Sequence, residues 1–204
     1  MGSQHKTVFF QNFNFIINET VYEPAEDSFL FAEKLEVKKN DRVLDMGTGS
    51  GILGILSSIN AKEVVGIDIN PHAVLCAKKN AKLNNVTNSV SFIQGDLFGP
   101  LQKTELFDLI LFNAPYLPET EEKSLTWIEK AWAGGSNGRL VIDSFLSQVI
   151  DYLTFSGRIL LLQSTLSDVK KTLFCFAEKN FKANIIAKLP LPFFETIVLI
   201  EAVF

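Results

Sequence analysis

The sequence predicts an α/β fold: a mostly parallel seven-stranded sheet with helices on both faces and an antiparallel edge strand. Three observations carry this. From Asp41 onward, short apolar runs alternate with longer helical runs, the pattern of βαβ units that stack into a parallel sheet under helices. The run "ELFDLILFN" is almost continuously apolar, as a strand covered on both faces should be. The last two strand-like runs are joined by a link too short for a crossover, so one of them runs antiparallel.

The elements follow in order. "TVFFQNFNFIINETVY" reads as one or two short strands with a turn at Asn18. "EPAEDSFLFAEKLEV" reads as a helix, with Pro24 in its first turn and Glu26 and Asp27 at its positive end. "DRVLDMG" is a strand and "GILGILSSIN" a helix; "EVVGIDIN" is a strand, and "PHAVLCAKKNAKLNN" a helix opened by Pro71. "SVSFIQGD" and "ELFDLILFN" are strands. Residues 117–138 read as a loop with a short helix near Trp127. "RLVIDSFLSQVIDYL" is a helix, "GRILLLQS" a strand and "LSDVKKTLFCFAEKNF" a helix; "KANIIAKLPL" and "ETIVLIEAVF" close the chain. One domain over 1–204 is expected, its strands and helix at 1–38 preceding a core at 39–204.

Composition narrows the function. An apolar share of 47% with 21% charged residues is that of a globular chain. The net charge of −4 argues against a nucleic-acid backbone as main partner, because an acidic surface gains nothing from counterion release. Cys76 and Cys175 stand far apart, without ligand spacing or a disulfide framework, and no run has the length of a membrane span. A cytoplasmic protein is expected.

The strand ends carry the chemistry. "VLDMGTGSG" places Asp45, Gly47, Gly49 and Gly51 where the first core strand turns into a helix, and glycines there let backbone approach a ligand. The next strand ends in Asp68, placed to accept hydrogen bonds from the two ribose hydroxyls of an adenosine, and the third ends in Asp96. Three successive strands thus end in acids along the edge where open α/β sheets bind ligands. The turn holds no Lys or Arg and opens with a carboxylate, which disfavours a phosphate and suits an ammonium group. S-adenosyl-L-methionine has an ammonium, a sulfonium and an adenosine but no phosphate, so charge selects it over a dinucleotide.

The fourth strand ends in "NAPY". Methyl transfer to a planar nitrogen, a carboxamide or the amine of adenine, must overcome a delocalised lone pair. Two fixed acceptors can hold its two N–H bonds: the Asn113 side-chain oxygen and the Ala114 carbonyl. Tyr116 can pack on the planar group, and Pro115 biases Ala114 toward an extended backbone.

At these residues the chain resembles a known family. "DMGTGSG", "GIDIN", "GDLF" and "NAPY" are similar to the motifs of Rossmann-like class I S-adenosylmethionine methyltransferases with an N/D-P-P-Y/F/W signature. "YEPAEDSFL" and "EKAWAGGSNGR" resemble the archaeal and eukaryotic HemK-like members, and the resemblance spans residues 20–204. It implies N5-methylation of the glutamine in the Gly-Gly-Gln motif of a class I release factor. By the family pattern S-adenosyl-L-methionine, leaving as S-adenosyl-L-homocysteine, is held by Ser28, by the turn from Asp45 through Gly47, Thr48, Gly49 and Gly51, and by Asp68 with Ile69, Asp96 with Leu97, and Asn113. The acceptor amide is assigned to Asn113, Ala114, Pro115 and Tyr116, with no metal. The resemblance further implies a heterodimer with a small zinc-binding activator subunit. The departure is Ala114, where the family has proline. The position supplies a backbone carbonyl, which alanine retains, and the lost rigidity is worth about 0.4–1 kcal/mol.

Two other readings share these residues. An adenine N6-methyltransferase acting on DNA or RNA would use the same four-residue site, but the chain has no basic stripe. A cofactor-binding scaffold without catalysis would not need Asn113, Tyr116 and all three acids.

Overall fold

The computed structural model describes residues 5–119 and 125–204. The chain opens with a hairpin, β1 (Lys6–Phe10) and β2 (Phe13–Ile17), which pair with each other and stand apart from the main sheet. Its tight turn falls at Gln11–Asn12, with Gln11 at φ 51°, so the hairpin lies ahead of the turn expected at Asn18. Asn18 begins a second turn, closed by the Val21 N–H on its carbonyl. The first helix, α1 (Glu26–Glu33), is shorter than its sequence suggests. Ala25 is its extended N-cap, which leaves Pro24 outside the first turn.

The core then alternates. The strands β3 (Arg42–Met46), β4 (Glu63–Asp68), β5 (Val90–Gln94) and β6 (Phe107–Asn113) are separated by α2 (Ile52–Ser57), α3 (Pro71–Leu83) and a loop after β5. α3 starts where sequence reading puts it, with Pro71 at its first position and the Asn70 side chain accepting the His72 N–H at 2.9 Å. After β6 come α4 (Leu140–Gln148), β7 (Leu153–Ser164), α5 (Val169–Glu178), β8 (Lys182–Pro190) and β9 (Thr196–Val203). The helix expected to reach residue 153 ends at Gln148 in a 3₁₀ turn, Val149–Tyr152, and β7 begins at once. The loop expected over 117–138 holds one 3₁₀ turn, Glu129–Ala131, just past Trp127; its part at 120–124 lies outside the described residues.

The seven-stranded sheet has the order β5-β4-β3-β6-β7-β9-β8. β3 to β7 run parallel to one another, and an antiparallel pair closes the sheet, with β9 reversed against both β7 and β8. Side chains alternate between two apolar layers, as a sheet covered on both sides requires. Val43, Leu109, Leu111, Leu160 and Leu199 face α1, α2, α3 and the hairpin. Leu44, Met46, Ile110, Phe112, Leu161 and Ile200 face α4 and α5. Cys76 is buried on α3 and Cys175 half-buried on α5, both as free thiols.

Arg139 joins the two helices of the second layer. Its buried guanidinium donates to the Asp143 carboxylate, to the Ser167 and Asp168 carbonyls and to Thr172 Oγ1.

The hairpin is fastened to α3 by two asparagines one turn apart. Asn84 Oδ1 accepts the Asn14 N–H at 3.0 Å, and its Nδ2 donates to the Asn14 carbonyl at 2.8 Å. Asn80 Oδ1 accepts the Ile16 N–H at 2.8 Å, and its Nδ2 donates to the carbonyls of Ile16 at 3.1 Å and Ser50 at 2.9 Å. A helical turn of four residues rises about 6 Å and two strand residues about 6.6 Å, so the two repeats match. Asn80 is fully buried. Its replacement by alanine should leave the half-buried Ile16 N–H and the buried Ser50 carbonyl without this partner, while the Ile16 carbonyl keeps Cys76 Sγ, and cost about 3 kcal/mol. Thermal unfolding of Asn80→Ala is expected roughly 6–12 °C below wild type; an unchanged midpoint would show that the hairpin is held otherwise.

Candidate active site

The C-terminal edge of the parallel strands opens on a cavity of about 370 Å³. The turn after β3 contributes Gly47, Thr48, Gly49 and Ser50; the end of β4 contributes Asp68 and Ile69; the loop after β5 contributes Asp96 and Leu97. β6 contributes Asn113 to Tyr116, and Ser28 comes from α1. The strand-end acids and the "NAPY" segment therefore share one space, although they are spread over seventy residues of chain.

Gly51 is the exception. It stands apart from the cavity lining as the left-handed N-cap of α2, at φ 85°. A β-carbon there would lie 3.0 Å from Ala77 Cβ and 3.2 Å from Ala77 Cα. The glycine is required because α2 and α3 pack across it, not because a ligand approaches it.

Asp68 lines the cavity from the end of β4. Its Oδ1 accepts the Asn70 N–H and its Oδ2 the Gly49 N–H, each at 2.8 Å. A carboxylate offers about four lone-pair sites, so each oxygen retains capacity for a diol. Asp96 is exposed at the rim, and Leu97 beside it takes a left-handed backbone, φ 44°. Ser50 adds a polar group that sequence reasoning missed: its Oγ is buried and, among the described residues, has no hydrogen-bond partner.

Asp45 has a task that its place in the motif does not announce. It is 1% exposed, and its Oδ2 accepts from Thr48 Oγ1 at 2.5 Å and from the Gly54 N–H at 2.9 Å. The carboxylate thus holds the turn against the start of α2. Burial pushes its carboxyl up to about 7, against the lowering effect of the Thr48 and Gly54 bonds. Burial also raises Asp68, opposed by its two backbone bonds.

The second half of the site is built around Asn113, the last residue of β6. Its Nδ2 donates to Asp27 Oδ2 at 2.9 Å. Asp27 is buried in the first turn of α1, and its Oδ1 accepts from the Ser28 N–H at 2.6 Å, from Ser28 Oγ at 3.2 Å and from the Tyr22 hydroxyl at 3.0 Å. An ionised carboxylate can only accept, so it sets which end of the Asn113 amide it faces. The amine is tied to Asp27, and the oxygen is left for another donor. Sequence reading placed Asp27 as a charge suited to a helix N-terminus and missed this contact. The signal available was the motif "YEPAEDSFL", whose Tyr22, Pro24, Asp27 and Ser28 all line the cavity.

Ala114 is pinned to β7 by its N–H on the Leu162 carbonyl at 3.2 Å, and its side chain is buried. Tyr116 packs against both apolar layers. Its phenol is raised by burial and then by the charges of Asp27 and Glu195, and Tyr22 is raised by burial and then by Asp27, so both stay protonated. Beneath them, "WAGGSNG" folds back along the acceptor segment. Leu117 donates to the Trp132 carbonyl, Gly134 to the Leu117 carbonyl and Glu119 to the Gly135 carbonyl. Gly138, at φ 70°, passes so close that a β-carbon would lie 2.3 Å from the Tyr116 carbonyl oxygen. Trp127, Lys130 and Trp132 of the same loop also line the cavity, with the Lys130 ammonium 4.4 Å over the Trp127 ring.

Comparison with known proteins bears on the family. The family model for ribosomal protein L11 methyltransferase matches residues 27–115. A chain of Methanocaldococcus jannaschii named as a protein N5-glutamine methyltransferase is 43% identical over 185 residues, 90% of this chain and 92% of that one. Methyltransferase HEMK2 of Homo sapiens is 38% identical over 148 residues, covering 67% of this chain and 68% of that one. Among solved structures, the E. cuniculi Mtq2–Trm112 complex, described as responsible for methylation of the eRF1 translation termination factor, superposes with a TM-score of 0.64 at 25% identity, over 90% of this chain and 98% of that one.

The electrostatics of the turn make a prediction. With a folded pKa near 7 and an unfolded value near 3.8, Asp45 binds more proton in the folded chain. Its contribution to stability is complete below the unfolded value and is lost as pH rises through about 7. Asp45→Asn keeps an oxygen for Thr48 and Gly54 but does not titrate. Relative to wild type, the variant should therefore gain up to about 3 kcal/mol between pH 5 and pH 8, read by denaturant unfolding. A difference independent of pH would show that Asp45 is not buried as described.

Proposed function

The chain belongs to the HemK-like family of protein N5-glutamine methyltransferases, and on that footing we propose that it methylates the side-chain amide of the glutamine in the Gly-Gly-Gln motif of a class I release factor. One methyltransferase domain over 1–204 performs the reaction. The observation that carries the reading is the Asp27–Asn113 bond, which leaves an amide oxygen as an acceptor at the end of β6.

The cavity suits S-adenosyl-L-methionine. It has a carboxylate with lone pairs to spare at Asp68, a buried hydroxyl without a partner at Ser50, and glycine backbone at Gly47 and Gly49. Ser28, Asp45, Thr48, Ile69, Asp96 and Leu97 would complete the pocket, and Asn113 would stand between cofactor and acceptor. An ammonium group near Asp45 would favour its ionised form. When bound, the cofactor supplies an electrophilic methyl group on a positively charged sulfur.

The protein's part is to prepare the nitrogen. Asn113 Oδ1 accepts one N–H of the substrate amide and the Ala114 carbonyl accepts the other. With both protons held, the nitrogen lone pair is freed from the amide plane and aimed at the methyl group. Tyr116, neutral and fixed by its packing, lies against the planar amide and sets its tilt. Asn113 Oδ1 and the Ala114 carbonyl would keep both amide protons in place through the transfer, and the proton in excess on the product nitrogen would pass to solvent. Pro115 keeps Ala114 extended, so the missing family proline removes rigidity and no reacting group.

A small zinc-binding activator subunit completes a heterodimer in this reading, supported by the two-chain assembly of the E. cuniculi structure. No helix among the described residues is long and apolar enough to cross a membrane, and we place the enzyme in the cytoplasm with its substrate.

Mass spectrometry of a recombinant class I release factor tests the proposal. The factor would be incubated with S-adenosyl-L-methionine and this protein, with and without the activator. One added methylene on the Gly-Gly-Gln peptide is expected, and none with Asn113→Ala. No gain in either mixture, with label entering nucleic acid instead, would transfer the site to the amine of adenine.

A further inference from the structure

The loop between β8 and β9, "LPLPFFE", breaks a local rule in plain view of the site. Phe193 and Phe194 are the two central residues of its tight turn, and both have φ 62°. A hairpin turn with two left-handed residues is the ordinary place for Asn-Gly, because a bulky side chain clashes with the backbone there. This chain puts two phenylalanines in it. Their own fold does not cover them: Phe193 is 96% and Phe194 104% exposed. Side chains that the backbone holds at a conformational cost, and that pack on nothing, point to a role outside the chain's own stability.

The topology says where that role is exercised. Asn113 pairs with Leu162 of β7, and Ser164, two residues further on, pairs with Ile197 at the start of β9. The loop before β9 therefore rises from the same sheet edge as the cavity. Two strand spacings set it about 10 Å to the side of Asn113, and the five residues from Leu199, level with Asn113, to Phe194 carry the rings roughly 16 Å further out along the strand direction. Leu189 and Leu191 pack against the same apolar layer as Tyr116, and the Glu195 charge acts on the Tyr116 phenol. The loop contains no Lys or Arg and ends in Glu195, so a phosphate backbone finds no counter-charge there. An apolar protein surface does find a partner in two bare aromatic rings.

We propose that Phe193 and Phe194 form the docking anchor for the protein substrate, seating an apolar patch of the release factor beside the glutamine acceptor site. The inference rests on the glutamine-methylation reading above. The anchor binds substrate outside the cavity and takes no part in the transfer, so it sets KM rather than kcat.

The test is the variant Phe193→Asn/Phe194→Gly, whose sequence suits the turn and should fold at least as well as wild type by thermal unfolding. Steady-state methylation of the intact release factor is expected to show KM raised about tenfold or more, with kcat and the affinity for S-adenosyl-L-methionine within about twofold of wild type. An unchanged KM with normal methylation overturns the anchor alone. If the variant instead loses its complex with the activator, or loses self-association, at unchanged KM, the rings serve that contact and the proposal is overturned. A fall in kcat at unchanged KM assigns the loop to the acceptor site and equally overturns it. Failure of the wild-type protein to methylate the factor at all overturns the functional reading and this inference together.

Discussion

A single hydrogen bond, from the Asn113 amide nitrogen to the Asp27 carboxylate, joins the N-terminal helix to the reactive end of β6. An asparagine side chain is ambiguous in isolation, since either end can face a ligand. The carboxylate removes the ambiguity because it has no proton to offer. Its neighbours fix the orientation of Asp27. The Ser28 N–H, the Ser28 hydroxyl and the Tyr22 hydroxyl all donate to its other oxygen. The residue is buried with donors on both oxygens, and its direction is transmitted to an amide oxygen at the acceptor site. Such preorganisation lets donors and acceptors act without rearranging at the moment of reaction.

The rest of the fold places these two residues together. α1 is not part of the βαβ series; it is held over the sheet edge by the apolar layer that also receives the hairpin. The hairpin in turn is fixed on α3 by Asn80 and Asn84, and Asn80 also bonds to the glycine turn through Ser50. A chain of packed elements thus runs from the first strands to the cofactor turn. On the other side of the site, Gly138 and its neighbours form a floor under Tyr116 that has no room for a side chain. Arg139, the next residue, anchors that floor to α4 and α5.

The sheet was legible in the sequence for a physical reason. Strands buried on both faces, such as Phe107–Asn113, are apolar but for Asp108, and an acid or asparagine at their end has no packing role to explain it. For the same reason Asp68, Asp96 and Asn113 could be picked out as a set. What could not be read were the contacts between distant segments. Asp27 and Asn113 are 86 residues apart, and no local pattern links them. The first hairpin turn was misplaced because its residue is unusual for a left-handed backbone: Gln11 opens it, ahead of the turn expected at Asn18. Gly51 was grouped with its neighbours by spacing alone, whereas its reason is helix packing against Ala77. Asp45 shows the opposite lesson. It was marked for its charge, yet in the fold it is a buried support for the turn with a carboxyl near neutrality at pH 7.

In this arrangement Asp27 acts on the reaction only through Asn113. A double-mutant cycle on kcat/KM for the release factor measures this directly, with Asp27→Ala, Asn113→Ala and the pair. The account predicts that each single change slows the reaction by about 10²-fold or more, and that the double variant is no slower than Asn113→Ala within a few-fold. Losses that multiply would show that the two residues act independently, and would contradict the claim that a carboxylate on the first helix sets the acceptor at the end of β6.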